Sequence, residues 1–251
     1  MRTSTAFLSL AFLTILGCGT HSLEDLLNAG SSSSEASSSL PSSSSLSSSS
    51  EAISSSSSSS SGNGGGSGSL TYQGQTYRTV VIGTLTWMAE NLNYNASGSK
   101  CYDDDPANCV TYGRLYDWAT AMALPSSCNS TSTSCSGQVN AKHRGVCPIG
   151  WHIPSVDDWD SLINYVENDK GCSMCAGAHL KAVGWRMDGH SRNSYGFSAL
   201  PSDGRSFGYW WSASEYNGNN AYSLDINYRG AYADLRVNDK SSLYSVRCLQ
   251  D

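Results

Sequence analysis

From Ser31 to Ser69 the chain is almost entirely serine, broken mainly by Glu35, Leu40, Pro41, Leu46, Glu51, Ile53 and a glycine-rich run from Gly62 to Gly68. A segment so poor in apolar side chains cannot recover the entropy lost on ordering. Residues 18–69 are therefore expected to form a disordered tether, and a Gly/Ser coil as long as the serine run has a root-mean-square reach of about 35 Å. Folding is left to residues 70–251, enough for one well-packed domain. Such a spacer suits a domain held away from a surface; a link to a separate partner module is its other use.

The N-terminus supplies a surface. Arg2 precedes the apolar run Ala6 to Leu16, and Gly17 is the small residue that a signal peptidase requires. The run is too short to span a bilayer. Ile15-Leu16-Gly17-Cys18 resembles a bacterial lipobox, so residues 1–17 read as a lipoprotein signal peptide and Cys18 as the lipidation site. The alternative is an ordinary secretory signal with Cys18 incidental. The first reading makes the membrane a partner through an N-terminal lipid. Gly19, in place of Asp, favours the outer membrane or cell surface.

The chain carries a net charge of −6 with a pI of about 5.3. Residues 71–251 hold 14 Lys and Arg against 17 Asp and Glu, a net of −3. No basic face for nucleic acid is expected from that balance. Lipidation of Cys18 leaves eight cysteines, an even number that reads in an exported domain as up to four disulfides. Sequence allows many connectivities, but spacing suggests three small loops, Cys101–Cys109, Cys128–Cys135 and Cys172–Cys175. Cys147 then meets Cys248, and a loop of about 100 residues is worth roughly 4–5 kcal/mol in the chain-entropy model. Cys172-Ser-Met-Cys175 is a CxxC, which elsewhere marks a redox dithiol or half a zinc site. With no second pair and no HxxxH among His143, His152, His179 and His190, a structural clasp is favoured, and neither metal nor cofactor is expected.

Periodicity points to an α+β domain. Residues 72–82 are β-rich around a turn at Gly74-Gln75. Leu115, Trp118, Ala119 and Met122 recur at helical spacing before Pro125. A stronger helix follows Ser155, whose cap pairs with Asp158, with Val156, Trp159, Leu162, Ile163 and Val166 as its apolar stripe and Gly171 as its stop. The period then becomes two: Tyr222, Leu224, Ile226 and Tyr228 alternate with polar residues, as do Ala231, Ala233, Leu235 and Val237, around Arg229-Gly230. Tyr244, Val246 and Cys248 share one face of a last strand.

Six strings in order carry a family resemblance: TWMAENLNY from Thr86, YGRLYDWATAM from Tyr112, CPIGWHIPSVDDWDSL from Cys147, YGFSALPSDGR from Tyr195, YWWSASE from Tyr209 and SVRCLQD from Ser245. Residues 70–251 resemble the Fibrobacter succinogenes major paralogous domain. Lipoprotein signals and low-complexity spacers fit that family of surface proteins, but the resemblance implies no particular activity. The layout is also similar to the C-type-lectin-like fold, including the formylglycine-generating enzyme branch. EPN, QPD and WND triplets are lacking, so the lectins' calcium-dependent sugar site has no counterpart here.

Asp103, Asp104 and Asp105 with Asn108 offer oxygens for calcium, but a solvated acidic loop is favoured. Asp157, Asp158, Asp160, Asp188, Asp203, Glu215, Asp225 and Asp234 show no spacing that selects an acid and a nucleophile for glycoside hydrolysis, so no catalytic residue is assigned. Aromatic residues crowd the C-terminal half: Trp185, Tyr209, Trp210, Trp211, Tyr216, Tyr222, Tyr228, Tyr232 and Tyr244. Flat rings suit sugar faces while neighbouring polar groups bond hydroxyls. Trp211, Tyr216, Asn217, Asn219, Asn220, Tyr232, Asp234 and Arg236 are the candidate ligand residues. The expected function is a non-catalytic surface lipoprotein that binds carbohydrate or another envelope or extracellular ligand. A structural or protein-interaction module of the envelope and a cryptic carbohydrate-active enzyme are the alternatives.

Overall fold

The computed structural model describes residues 67–130, 134–185, 189–202 and 206–251. The signal peptide, Cys18, nearly all of the tether, Asp188 and Asp203 lie outside the described residues. In order, the strands and α-helices are β1 (Gly68–Tyr72), β2 (Gln75–Ile82), β3 (Leu85–Met88), α1 (Pro106–Tyr112), α2 (Trp118–Ala121), β4 (Trp151–His152), α3 (Val156–Lys170), α4 (Ala176–Leu180), β5 (Phe207–Glu215), β6 (Asn220–Asn227), β7 (Ala233–Asp239) and β8 (Leu249–Gln250). β1 begins two residues inside the segment expected to be tether. Among the described residues no helix is long and apolar enough to cross a membrane.

These strands make two sheets. One has the order β1-β2-β3-β8-β4, with β8 seated between β3 and β4; the other is the meander β5-β6-β7. The β1–β2 turn is Gln73-Gly74, one residue earlier than the sequence suggested. Both residues have positive φ, 50° and 76°, the conformation a two-residue hairpin turn demands. Gly at the second position meets that demand without strain.

The long helix forms as its sequence implies. Ser155 Oγ accepts from Asp158 N at 3.2 Å while Asp158 Oδ2 accepts from Ser155 N at 2.9 Å, and Gly171 closes the helix at φ 62°. Its stripe buries Trp159, Leu162 and Val166, and Trp159 stacks on Trp87 of β3 with centroids 5.0 Å apart. The first helix is a correction. Leu115 and Tyr116 are extended, bridging Lys100 and Tyr244, and Asp117 starts α2 only afterwards by accepting from Thr120 N at 2.7 Å. Helix α1 was not anticipated, although Asp105 caps it and Pro106 opens it, both ordinary start signals.

The core has two parts. One collects Tyr77, Tyr116, Trp118, Met122, Trp211, Val246 and the Cys147–Cys248 bridge; the other collects Trp87, Trp159, Trp185, Phe197, Trp210, Leu224 and Ile226. Trp210 and Trp211, adjacent on β5, enter different parts because successive side chains of a strand point to opposite faces. Four disulfides join Cys101–Cys109, Cys128–Cys135, Cys147–Cys248 and Cys172–Cys175, the same pairs that the spacing suggests.

Candidate functional site

The β5-β6-β7 meander has two unlike faces. Register places Trp210, Leu224 and Leu235 in one row and Gly208, Ile226 and Ala233 in the next. This inner face packs on α3 and α4. The outer face carries the alternate residues: Tyr209 beside Asp225 beside Asp234, and Trp211 beside Ser223 beside Arg236. Phe207 pairs with Asn227 at one end, and the Asn227 amide donates to the Tyr232 hydroxyl at 3.0 Å.

A further segment widens this face. Ser245 runs parallel beside Trp210, its N–H donating to the Tyr209 carbonyl at 3.0 Å and its carbonyl accepting from Trp211 N at 3.1 Å. The Tyr244 ring thereby stacks on Tyr209 at 4.7 Å and lies 4.5 Å from Trp211, and Phe207 stacks on Tyr209 at 5.9 Å. The result is an aromatic row flanked by carboxylates and an arginine. Phe207 is 40% exposed, the Arg236 side chain 61% and the Asp234 side chain 30%.

Electrostatics divides the two carboxyls. Asp234 accepts from Arg236 Nη2 at 2.8 Å at the surface. Asp225 is more deeply set, and burial pushes its carboxyl up to about 6, against the lowering effects of Ser223 and Asn238. Ser223 Oγ donates to Asp225 at 2.5 Å while accepting from the Asn238 amide at 2.8 Å. Burial also pushes the Tyr244 phenol up to about 12, with the Asp225 charge adding to the rise.

The structure unites part of the expected ligand set and disperses the rest. Tyr232, Asp234 and Arg236 share the outer face. Trp211 points the same way but is 0% exposed, with Nε1 donating to the Tyr116 carbonyl at 2.8 Å; it buttresses Tyr244 and cannot itself meet a ligand. Asn217, Asn219 and Asn220 form the β5–β6 turn, where Asn217 Oδ1 accepts from both Asn219 N and Asn220 N at 2.9 Å. That turn lies at the opposite end of β6 from Tyr232, because successive turns of a meander alternate ends. Tyr216 meets Tyr222 edge-on at 5.6 Å, and Tyr222 belongs to the inner-face set. Tyr209, Tyr244 and Phe207 were missing from the expected set. The alternation Phe207, Tyr209, Trp211 was the signal that places the first two with Asp225.

Other polar candidates already have partners within the fold. Glu215 is no free carboxylate: a register shift on β5 between Trp211 and Glu215 accompanies its burial, where it pairs with Lys240 and Ser134 and accepts from Cys135 N at 3.1 Å. Those partners hold its carboxyl below the usual range although burial opposes them. Lys240 Nζ also donates to Cys128 O and Gly218 O, each at 3.1 Å. Asp158 is engaged in the α3 cap. In the acidic loop, Asp105 accepts from Ala107 N at 2.9 Å and the Asn108 amide N–H donates to the Tyr102 carbonyl, so the Asp105 carboxylate caps α1 rather than waiting for an ion. Two clefts, of about 420 and 520 Å³, lie elsewhere. The first is walled by Tyr72 and Tyr94, whose rings are 5.4 Å apart; in the second, Arg78 is already paired with Glu90 at 2.9 Å.

No curated protein and no solved structure matches this chain. A comparison with family-wide sequence patterns matches residues 80–250 to the Fibrobacter succinogenes major domain, a span that takes in both sheets except β1 and the first five residues of β2, all four disulfides and the outer-face residues. The chain thus belongs to the Fibrobacter succinogenes major domain family.

Proposed function

We propose that this is a surface lipoprotein whose domain binds carbohydrate without cleaving it, through the outer face of the β5-β6-β7 sheet. The observation that carries the reading is the row of Tyr244, Tyr209 and Phe207 beside Asp225, Asp234 and Arg236. Ring faces take up the apolar side of a pyranose, and the charged groups bond its hydroxyls. The lipobox-like cysteine and the serine tether support placement outside the cytoplasm on a membrane anchor. The seating of β8 beside β3, with Cys248 bridged to Cys147, supports kinship to the C-type-lectin-like layout.

Depletion of the folded protein by insoluble cellulose and hemicellulose, with a glycan array for soluble ligands, tests the reading. Retention that falls at least tenfold in Tyr209→Ala supports it; absence of retention on every matrix removes the carbohydrate clause. A hydrolytic reading draws on one observation, the cross-strand pairing of Asp225 with Asp234 in unlike environments. Release of reducing sugar from a retained polysaccharide, lost in Asp225→Asn, would favour it over simple binding.

A further inference from the structure

The loop between α3 and α4 carries a cluster that the carbohydrate reading does not use. Cys172 N donates to the Glu167 carbonyl at 3.0 Å and Cys175 N to the Glu167 carboxylate at 3.1 Å, which ties the loop to the last turn of α3. Cys175 immediately precedes α4, and His179 follows four residues later, one helical turn on, so its ring returns to the same side. The sulfurs of Cys172 and Cys175 and a ring nitrogen of His179 all lie within 4.8 Å of one another. His179 Nδ1 sits 2.7 Å from Ser194 Oγ, which fixes the ring orientation and leaves Nε2 for a ligand. Among the described residues no other group of three Cys, His, Asp or Glu side chains converges in this way.

We propose that Cys172, Cys175 and His179 form a redox-gated zinc site: the disulfide is the empty form, and the dithiol binds one zinc ion. An external dithiol supplies the two electrons. One of its thiolates attacks the Cys172 sulfur and Cys175 leaves as a thiolate; the second thiolate of the reagent then displaces Cys172, and the reagent departs as a cyclic disulfide. Zinc binds the two cysteine sulfurs and His179 Nε2, any remaining thiol protons pass to solvent, and water fills the fourth tetrahedral position. Two sulfurs and one imidazole are a donor set that suits zinc. A hydrogen-bonding partner on the other ring nitrogen, the place Ser194 occupies, is a regular companion of such ligands. Access favours this pair over two of the other three: Cys172 is partly exposed, whereas Cys147 and Cys248 are 0% exposed and Cys128 and Cys135 are 1% and 7% exposed, while Cys101–Cys109 is comparably open.

The test uses the whole protein, treated with limiting dithiol, desalted without oxygen and titrated with zinc, with cobalt as an absorbing substitute. Differential alkylation and peptide mapping identify the opened pair. The expected result is one equivalent of metal bound by the Cys172/Cys175 dithiol and none by the disulfide form, with thiolate-to-cobalt absorption. His179→Ala and Cys172→Ser should each weaken binding at least tenfold, and Ser194→Ala by about tenfold or more. Near-ultraviolet dichroism of the buried tryptophans shows whether each variant is folded. If Cys101–Cys109 opens first, the same titration on Cys101→Ser/Cys109→Ser removes that competitor. A folded dithiol that takes up no metal, or uptake unchanged in folded His179→Ala, overturns the proposal and leaves a plain clasp.

Discussion

The inner and outer faces of the β5-β6-β7 sheet share one backbone yet differ in almost everything else. On the inner face Trp210, Leu224, Ile226 and Ala233 are at most 7% exposed, and Gly208 is required because a Cβ there would lie 2.3 Å from the Trp210 ring. On the outer face the same strands present Tyr209, Asp225, Asp234 and Arg236. Burial of apolar area dominates the first; the second keeps charge within reach of solvent beside flat rings. A strand pair can thus contribute its stability through one set of side chains and leave the intervening set exposed to solvent.

Emptying the inner face should have the largest effect. Trp210→Ala should cost about 3–5 kcal/mol, read as a lowered denaturant midpoint. If it proves as mild as the outer-face changes, the division is wrong. Gly208→Ala should cost about 2–3 kcal/mol through overpacking against Trp210. Asp225 gives a signature in pH. Its folded carboxyl keeps a proton up to about pH 6, against the ordinary aspartate value of 3.8, so the folded state holds more protons between these values. Stability should therefore fall by about 1–2 kcal/mol as pH rises from 4 to 6. Asp225→Asn should flatten that limb in pH-resolved thermal unfolding, and an unchanged limb would remove Asp225 as its source. Tyr209→Ala should cost about 1 kcal/mol of stability while abolishing retention on polysaccharide. Arg236→Ala should stay within about 0.5 kcal/mol of wild type, with its effect confined to ligand binding.

What could be read without coordinates was whatever depends on short-range pattern. The α3 cap, stripe and stop are local chemistry, and so is the alternation that pairs β6 with β7. The disulfide spacing is a matter of short loops plus one remainder. Misreadings arose where distant segments decide. Leu115 and Tyr116 match a helical period but pair with Lys100 and Tyr244 instead. Trp211 has the surface-facing parity of Tyr209, yet Tyr116 and Tyr244 arrive to cover it. Glu215 carries no local sign of its partner, since β5 shifts register there and Lys240 meets it from 25 residues away. The Cys172–His179 convergence escaped because a CxxC was weighed against a second cysteine pair or an HxxxH, and here the third donor is a histidine four residues after the second cysteine.

The seating of β8 between β3 and β4 sets an order of arrival. As the polypeptide emerges N-terminus first, β3 has its inner neighbour missing until residues 249–250 come into reach, and the Asn91–Ser245 contact spans 154 positions. The three local cystines can close early, each across eight residues or fewer. Early closure leaves Cys147 as the one domain cysteine still a free thiol until Cys248 appears, although its thiolate can still exchange with the closed pairs. Sealing of the first sheet and completion of the oxidised framework then become a single late event.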